Sequence, residues 1–219
     1  MTKKIAVIPA YNEARHIAKV IKATKEYVDL VIVIDDGSTD KTSFEARDSD
    51  IFAKHIVNLG KGASLRTGFE LAIANKADII ITIDADDQNN PDDIPRLINA
   101  LIESKADIVI GARSLNKNMP LIYRIGNIGL RKIFQFLFKL RINDTQSGFR
   151  AIRAQVYKKI IWQSNNYAVE AEMLANAGKY RLKCVEIPIS TKYLDSYKGT
   201  TILDGISIFF QMLLWKFKS

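Results

Sequence analysis

The sequence is poor in cysteine, in histidine and in long apolar runs. Its 219 residues include one cysteine, Cys184, which excludes an internal disulfide and fits a reducing compartment. No segment reaches the roughly 18 uninterrupted apolar residues of a membrane-spanning helix, so none is predicted. The first residues, MTKKIAVIPAYNE, have too short an apolar run for a signal peptide and no small-residue cleavage site, so we expect a cytoplasmic protein.

The scarcity of sulfur and imidazole ligands also limits the metals that the chain can bind. With two histidines, His16 and His55, and no cysteine cluster, it lacks the ligands of a typical zinc site. Hydrophobic residues make up 47% of the chain and charged residues 26%, as in a globular protein with a core. No repeat, low-complexity segment or linker is found. We therefore predict one domain over residues 1–200 and a C-terminal amphipathic helix over 201–219.

Charge is spread unevenly along the chain. Residues 76–107 contain eight acidic and three basic side chains, whereas residues 111–160 contain eleven basic side chains and one acidic. The net charge of +8 and a pI near 9.4 indicate anionic partners. An acidic block beside a basic block is typical of a site that holds a metal ion and phosphates together. The alternative is a solvated surface with chance clustering.

Short β-branched runs alternate with amphipathic segments over the first half of the chain. This alternation predicts an α/β fold with a mixed, mainly parallel sheet flanked by helices. Asn12 is predicted to cap the first helix, and Pro91 to lie near the first turn of another. The predicted strands are 4–10, 28–36, 51–58, 77–84 and 106–113, and the predicted helices are 13–27, 60–75 and 91–104.

The pattern changes after residue 113. We predict a long amphipathic helix over 121–140, a polar turn at 144–153 that leads into a shorter helix, and a helix near 167–177. Strands near 182–194 and a strongly apolar final helix from residue 202 complete the prediction.

Three of the predicted strands end in polar clusters, PAYNE, DDGS and DADDQ. Ligands of open α/β sheets bind beyond the carboxyl ends of the strands, so these clusters are expected to meet at one edge. In an extended strand Asp84 and Asp86 would point the same way, and Gln88 would continue the row. Such oxygen ligands suit Mg²⁺ or Mn²⁺. The alternative is that the acidic cluster, through Asp87 and Asn90, caps the following helix.

Six motifs occur in the order in which family 2 glycosyltransferases carry them. They are PAYNE, DDGSTD, GKGASLRTG, DADDQ, GAR and DTQSGFRA. Over roughly residues 3–195 the chain resembles that family, and within it the dolichyl-phosphate mannose synthase branch, which makes polyprenyl-phosphate sugars. The resemblance implies the GT-A fold, a Rossmann-like fold of nucleotide-diphospho-sugar transferases, and a nucleotide-sugar donor.

The resemblance also implies a set of donor-binding residues. The nucleoside is expected beside the first two polar loops, with Ile34 and Asp36 at the base, and the ribose and diphosphate beside the third. A divalent cation, Mg²⁺ or Mn²⁺, is expected on Asp84, Asp86 and Gln88. Lys198 is the candidate to close over the diphosphate, although the branch usually carries an arginine there, whose bidentate contact lysine cannot make. The expected donor-binding residues are Pro9, Ala10, Tyr11, Glu13, Ile34, Asp36, Asp84, Ala85, Asp86, Arg113 and Lys198.

The expected catalytic residues are Asp86, Arg113 and Arg124. A phosphate acceptor is already anionic near neutral pH, so it needs orientation rather than a general base. Arg113 and Arg124 are expected to bind phosphate oxygens, where the arginine fork fits best. Attack from the face opposite the diphosphate would invert the anomeric centre. Glu170 and Glu172 leave an alternative open, because relatives that act on hydroxyl groups often carry a catalytic base there.

The leading hypothesis is a metal-dependent inverting transferase that moves a hexose to dolichyl or another polyprenyl phosphate. Mannose from GDP-mannose is the first choice of donor, followed by glucose or N-acetylglucosamine from the uridine nucleotide. A family 2 transferase with a sugar or protein hydroxyl acceptor is the second hypothesis. A basic nucleic-acid-binding module is the non-enzymatic one, disfavoured because Asp84, Asp86 and the Asp35-Asp36 turn would repel a phosphate track.

A lipid acceptor requires an approach to the membrane. The helix 121–140 and the C-terminal segment both combine apolar and basic residues, as in helices that lie in a membrane interface. Peripheral attachment to the cytoplasmic face, on an anionic surface, is the prediction. Core packing of the first helix and a contact between copies of the chain through the second are the alternatives.

Overall fold

The structure, a computed structural model, describes residues 2–113, 121–166, 168–191 and 202–217, with the backbone alone for 121–127 and 202–208. In this part of the chain seven strands form one mixed sheet in the order β3-β2-β1-β4-β6-β5-β7. The strands are β1 Lys4–Ala10, β2 Leu30–Asp35, β3 Ile51–Lys54, β4 Ile79–Thr82, β5 Ile108–Arg113, β6 Arg150–Arg153 and β7 Cys184–Ile189.

Helices cover both faces of this sheet. Short 3-10 helices at Pro91–Asp93 and Ala154–Lys159 supplement them. The α-helices are α1 Ile17–Lys25, α2 Thr42–Glu45, α3 Lys61–Ala74, α4 Ile94–Glu103, α5 Leu121–Phe138, α6 Val169–Lys179 and α7 Ile202–Phe217.

Neighbouring residues of the central strands face opposite sides of the sheet, and both sides are buried. In β1, Ile5 and Val7 belong to one hydrophobic cluster, while Ala6 and Ile8 belong to the other. Parallel strands that are covered on both faces read as continuous apolar runs, which is why the sequence indicated them clearly. The mainly parallel α/β sheet predicted from the sequence is therefore confirmed.

The connections bring the functional motifs to one edge. Strands β3, β2, β1 and β4 are parallel neighbours, and β6 runs antiparallel between β4 and β5. The carboxyl ends of β1, β2, β4 and β5 therefore share an edge with the beginning of β6. The loop before β6, which carries the DTQSG motif, reaches the same place as the acidic cluster after β4.

The polar turn predicted over 144–153 is wrong at its end, which is a strand; a short 3-10 helix, Ala154–Lys159, follows where a helix was predicted. Arg150–Arg153 form strand β6, in which Ala151 and Ile152 are buried on opposite faces of the sheet. A run of four residues with an arginine at each end has too weak a periodic pattern to indicate a strand. Pairing with β4 and β5 decides its conformation instead.

The predicted helix cap at Asn12 is also wrong. Helix α1 begins at Ile17, with His16 at the N-cap position and no side-chain cap bond. Asn12 has a φ of 56°. Its Oδ1 accepts a hydrogen bond from the Thr39 amide at 3.0 Å, so the side chain joins two loops rather than starting a helix.

Helices α5 and α7 have one buried and one exposed side each. Phe134 and Phe138 of α5, and Met212 and Trp215 of α7, belong to the larger hydrophobic cluster. On the other side of α5, Phe136 is 84% exposed. The boundary between a domain over residues 1–200 and a C-terminal helix over 201–219 stays a prediction. Among the described residues, no helix has both the length and the apolar character needed to cross a bilayer.

Candidate active site

The first two loops of the edge are tied together by hydrogen bonds. The Asn12 amide donates to Ser38 Oγ at 2.9 Å, and the Glu13 amide donates to Thr42 Oγ1 at 2.8 Å. Tyr11 remains 46% exposed, which leaves its ring available to stack on a base. Pro9 and Ala10 are buried at the end of β1. These two residues can therefore support a nucleoside site from the buried end of β1, without an exposed side chain.

The expected base-binding acid, Asp36, is used by the protein itself. Its carboxylate accepts hydrogen bonds from the amides of Leu59 and Gly60 at 3.0 and 2.7 Å, and His55 Nδ1 lies 2.7 Å from it. Asp36 therefore fixes the loop that leads into α3. Ile34, the other residue expected at the base, is fully buried in the core.

The extended geometry expected for Asp84 and Asp86 is wrong. Strand β4 ends at Thr82, and residues 85–87 form a turn in which Asp87 has a φ of 58°. The carboxylate of Asp87 pairs with Lys19, not with the following helix. Of the two capping residues expected there, Asn90 does cap, because its side chain accepts a hydrogen bond from the Asp92 amide.

Asp84 and Asp86 nevertheless lie close enough to repel each other. Burial, and secondly the negative charge of Asp84, raise the pKa of Asp86 above its usual value. Two crowded carboxylates of this kind fit a hard divalent cation, which takes one or two protein carboxylates and completes its shell with water and phosphate oxygens. Within the described residues no group of three or more His, Cys, Asp or Glu side chains gathers around one point. The donor set thus suits magnesium or manganese held together with a phosphate, not a metal held by protein alone.

A lysine that sequence reasoning did not assign to the site lies between two acids. Lys61 Nζ is 2.6 Å from Asp84 Oδ1 and 2.7 Å from Glu170 Oε1. Burial lowers the pKa of Lys61, but the charges of Asp84 and Glu170 outweigh it, so its pKa is raised overall. The site therefore contains a permanent cation. The GKG motif pointed to a helix start but not to this partner, because Glu170 is far away along the chain.

Gly148 makes the close approach of these charges possible. A Cβ atom at this position would lie 2.7 Å from Asp84 Oδ2 and 2.9 Å from Lys61 Nζ. A side chain at this position would force Asp84 and Lys61 to shift from these places, which gives the SGF part of the DTQSGFRA motif a physical role.

Arg113, the expected phosphate-binding arginine, is paired with Asp144 of the DTQSG motif. Its Nε and Nη2 donate to the two carboxylate oxygens at 2.8 and 3.0 Å. Burial raises the pKa of Asp144, but the hydrogen bonds and charge of Arg113 outweigh it, so that this pKa is lowered. Glu186 of β7 accepts hydrogen bonds from the amides of Asn143 and Asp144, each at 2.7 Å. Arg113 therefore lies at the edge as expected, in a fixed orientation.

Arg150 belongs to the basic block of the sequence but is not a surface charge. It is 1% exposed, and its guanidinium donates to the main-chain oxygens of Ser147, Glu170 and Thr145 at 2.8, 3.0 and 3.1 Å. Burial lowers its pKa. Arg150 thus joins the DTQSG loop to α6.

The two acids of α6 have different roles, and both are buried. Glu172 accepts hydrogen bonds from the amides of Gln163 and Ser164 at 3.1 and 2.8 Å, which holds the loop before α6. Glu170 faces Lys61 at the site. If one of the pair meets substrate it is Glu170, whereas Glu172 is a structural group.

Two of the expected site residues cannot be placed. Lys198 lies outside the described residues, and for Arg124 the structure describes the backbone of α5 but not the side chain. Gln88 is described: its amide donates to Asp86 Oδ1 at 3.0 Å, which closes the turn between two of the expected metal ligands.

Comparisons with known proteins show the family of the chain. Residues 5–161 match the model of the family described as glycosyl transferase family 2. The UDP-N-acetylglucosamine–dolichyl-phosphate N-acetylglucosaminyltransferase of Methanococcus voltae is 34% identical, over 96% of this chain and 94% of its own. The dolichol-phosphate mannosyltransferase of Pyrococcus furiosus is 28% identical, over 98% of this chain and 64% of its own.

Among solved structures, glucosyl-3-phosphoglycerate synthase from Mycobacterium tuberculosis superposes with a TM-score of 0.78 at 19% identity, covering 99% of this chain and 79% of that one. At this identity the likeness concerns the fold, which is the GT-A fold. The family match, together with the relatives that cover nearly the whole chain, decides the classification. The protein belongs to glycosyl transferase family 2.

Proposed function

We propose that the protein transfers a sugar from a nucleoside diphosphate sugar to a polyprenyl phosphate, with a divalent cation held at Asp84 and Asp86. One observation carries this proposal: a pair of crowded carboxylates shares the edge of the sheet with the cations Lys61 and Arg113. The carboxylates suit a metal ion, and the cations suit the phosphates of donor and acceptor.

Asp84, Asp86 and the Gln88 side chain are the residues that would hold the cation. Bound there, Mg²⁺ or Mn²⁺ would neutralise the charge that develops on the leaving diphosphate. Tyr11 offers its exposed ring to the base, and the loop fixed by Asp36 forms the floor of the nucleoside site.

The state of the two acids on α6 favours a phosphate acceptor over a hydroxyl acceptor. A general base needs a carboxylate that can reach the acceptor proton. Both oxygens of Glu172 accept main-chain amides, and Glu170 is paired with Lys61. An acceptor that is already anionic needs no such base and is oriented by arginine instead. Arg113, fixed by Asp144, is the described residue that fits this role.

The donor with the strongest support is UDP-N-acetylglucosamine. The relative named for that activity matches 34% of the aligned residues over almost its full length. GDP-mannose is the second candidate, supported by the mannosyltransferase of Pyrococcus furiosus, of which this chain covers less than two thirds.

We also propose that the surface formed by α5 and α7, with its basic residues, approaches the membrane that carries the acceptor. Phe136, Phe210, Leu214 and Phe217 are largely exposed on these helices. Lys216 lies among them, and its ammonium reaches the main-chain oxygen of Leu137 at 2.9 Å. Exposed aromatic side chains beside basic ones suit a membrane interface. A contact with a second copy of the chain is the alternative occupant.

The test is a panel of radiolabelled UDP-N-acetylglucosamine, UDP-glucose and GDP-mannose, each incubated with the protein, Mn²⁺ and a polyprenyl phosphate. We expect label from one donor, first of all UDP-N-acetylglucosamine, to pass into the organic phase. A matched reaction with a polyprenol that lacks the phosphate should give none. Transfer to the polyprenol, or no transfer from any donor, would contradict the proposal.

A further inference from the structure

The ion pair between Lys61 and Asp84 is at odds with a simple metal site. One oxygen of Asp84 already has an ammonium group at 2.6 Å, and that ammonium also lies 2.7 Å from Glu170. Lys61 and a divalent cation carry charge of the same sign, so both cannot keep the same carboxylate oxygen at such distances.

The backbone that carries Lys61 is packed closely against residues 164 and 165. Cβ atoms added to Gly60 and Gly62 would lie 2.1 Å from the main-chain oxygen of Asn165 and 2.0 Å from that of Ser164. The Gly62 amide donates to Asn165 at 2.8 Å, which fixes the start of α3 on both sides of the lysine. Any adjustment must therefore come from the flexible four-carbon stem of the side chain.

Glu170 is a firmly held partner for the ammonium group of Lys61. It is 3% exposed, it lies on α6, and its main-chain oxygen is held by Arg150 at 3.0 Å. The guanidinium of Arg150 donates to main-chain oxygens, whereas the ammonium of Lys61 contacts the Glu170 carboxylate directly. An ammonium that leaves Asp84 thus keeps a partner within the site.

We propose that Lys61 is a mobile counter-ion of the donor site. Without donor it neutralises Asp84; when a divalent cation binds at Asp84, Lys61 leaves this carboxylate, stays paired with Glu170, and binds the diphosphate of the nucleotide. This inference rests on the proposed function and deepens it. Its consequence is cooperativity: a cation alone displaces Lys61 from Asp84 and leaves it with Glu170 as its partner, whereas a diphosphate supplies a second partner in place of Asp84.

The test measures cation and nucleotide binding separately, without turnover. Binding of Mn²⁺ alone is followed through the electron paramagnetic resonance signal of the free ion, and binding of UDP or GDP at saturating Mn²⁺ by calorimetry. For Lys61→Met we expect Mn²⁺ alone to bind about tenfold more tightly and the nucleotide about tenfold more weakly, a coupling in the range usual between linked sites.

A control variant loses the same charge elsewhere. Lys25 forms an ion pair with Asp50 at 2.8 Å, remote from this edge of the sheet, and Lys25→Met should leave both affinities unchanged. Lys61→Met leaves Glu170 buried without its cation, which destabilises the fold. The double variant Lys61→Met/Glu170→Gln removes both charges, and it should also bind Mn²⁺ more tightly than the wild type. Opposite shifts of the two affinities in either folded variant would support the inference.

Equal shifts in the same direction, or unchanged Mn²⁺ binding in both variants, would overturn it. This failure is distinguishable from failure of the proposed function. If the wild-type protein binds neither UDP nor GDP with Mn²⁺, the proposed function falls and the inference falls with it. If the wild type binds one of them and the variants show no opposite shifts, the inference alone is wrong.

Discussion

Arg113 and Asp144 form a two-pronged ion pair, with Nε of the arginine 2.8 Å from Oδ2 and Nη2 3.0 Å from Oδ1. The Arg113 amide donates to the same carboxylate at 3.1 Å. The end of β5 is thereby joined to the loop before β6, and the direction of the guanidinium is set by a residue outside the GAR motif.

Asp144→Asn should weaken both stability and turnover. The lowered pKa of Asp144 means that its stabilisation is present above the unfolded value near 3.8 and is lost as pH falls through the folded value. We expect a loss of about 1 kcal/mol in the free energy of unfolding at pH 7, at the upper end for a pair with one exposed partner. Urea denaturation of both proteins between pH 7 and pH 3 should show this difference shrinking.

A measurement of turnover distinguishes the role of Asp144 in orienting Arg113 from its contribution to stability. We expect kcat/KM of Asp144→Asn to fall about tenfold, the cost of misplacing one charged hydrogen-bond donor. Asp50→Asn breaks the exposed pair with Lys25 and should lower stability without lowering kcat/KM. An equal fall in kcat/KM for the two variants would show that Arg113 has no special role.

Glu172→Gln should behave as a structural substitution. The carboxylate accepts two main-chain amides, and a glutamine amide can accept at only one of its two positions. We expect the free energy of unfolding to fall by about 2 kcal/mol, while kcat changes by no more than about threefold. Denaturation curves and steady-state rates check this. Unchanged stability with a loss of about 100-fold or more in kcat would instead identify a general base.

Gly148→Ala should disturb the metal-binding acids directly. The added methyl group would lie 2.7 Å from Asp84 Oδ2, so the carboxylate must shift. We expect nucleotide binding in the presence of Mn²⁺ to weaken about tenfold or more, because misplaced ligands lose metal affinity. The control is Gly129→Ala in α5, where nothing lies within 4 Å of the new Cβ. Calorimetry should show equal binding for this control and the wild type; equal losses in the two variants would contradict the role of Gly148.

Phe210→Ser should weaken attachment to membranes. Phe210 is 60% exposed on α7, and loss of one buried aromatic side chain from a membrane interface costs about 1.5–3 kcal/mol of binding. Flotation with anionic liposomes should show less bound protein. Phe44→Ser, at a residue 58% exposed on α2, should float like the wild type. Deletion of α7 is a poorer test because it would uncover the core contacts of Met212 and Trp215.

If Phe210→Ser floats with the liposomes as the wild type does, the proposal that α5 and α7 approach the membrane is contradicted. A change from dimer to monomer in the same variant, measured by sedimentation, would show that the exposed side of α7 contacts a second copy of the chain.

The sequence indicated the fold well where local patterns and packing agree. The strands β1, β2, β4 and β5 are continuous apolar runs, and their polar ends do meet at one edge. Strand β6 was missed because its conformation depends on two neighbouring strands and not on its own four residues. Asn12 looked like a helix cap, but its left-handed backbone and its bond to Thr39 depend on a second loop.

The sequence predicted where the candidate site lies, but not the ion pairs and hydrogen bonds within it. Asp84, Asp86 and Arg113 lie where the motifs indicated. Lys61 was read as the start of a helix, because nothing along the chain joins it to Glu170. Arg150 was counted in the basic block without a role of its own, whereas the fold buries it among main-chain oxygens. Pairings between distant segments decide both cases, and composition or spacing does not encode them.

The central claim is that Asp84 and Asp86 hold a divalent cation that binds the leaving diphosphate. The most direct measurement is Mn²⁺-dependent transfer of labelled sugar to polyprenyl phosphate by Asp86→Asn, beside Asp87→Asn. The latter is a matched control, because Asp87 has a φ of 58°, which asparagine tolerates, and its partner is Lys19. We predict a loss of about 100-fold or more for Asp86→Asn and near wild-type transfer for Asp87→Asn. Transfer by Asp86→Asn at the full wild-type rate would contradict the account.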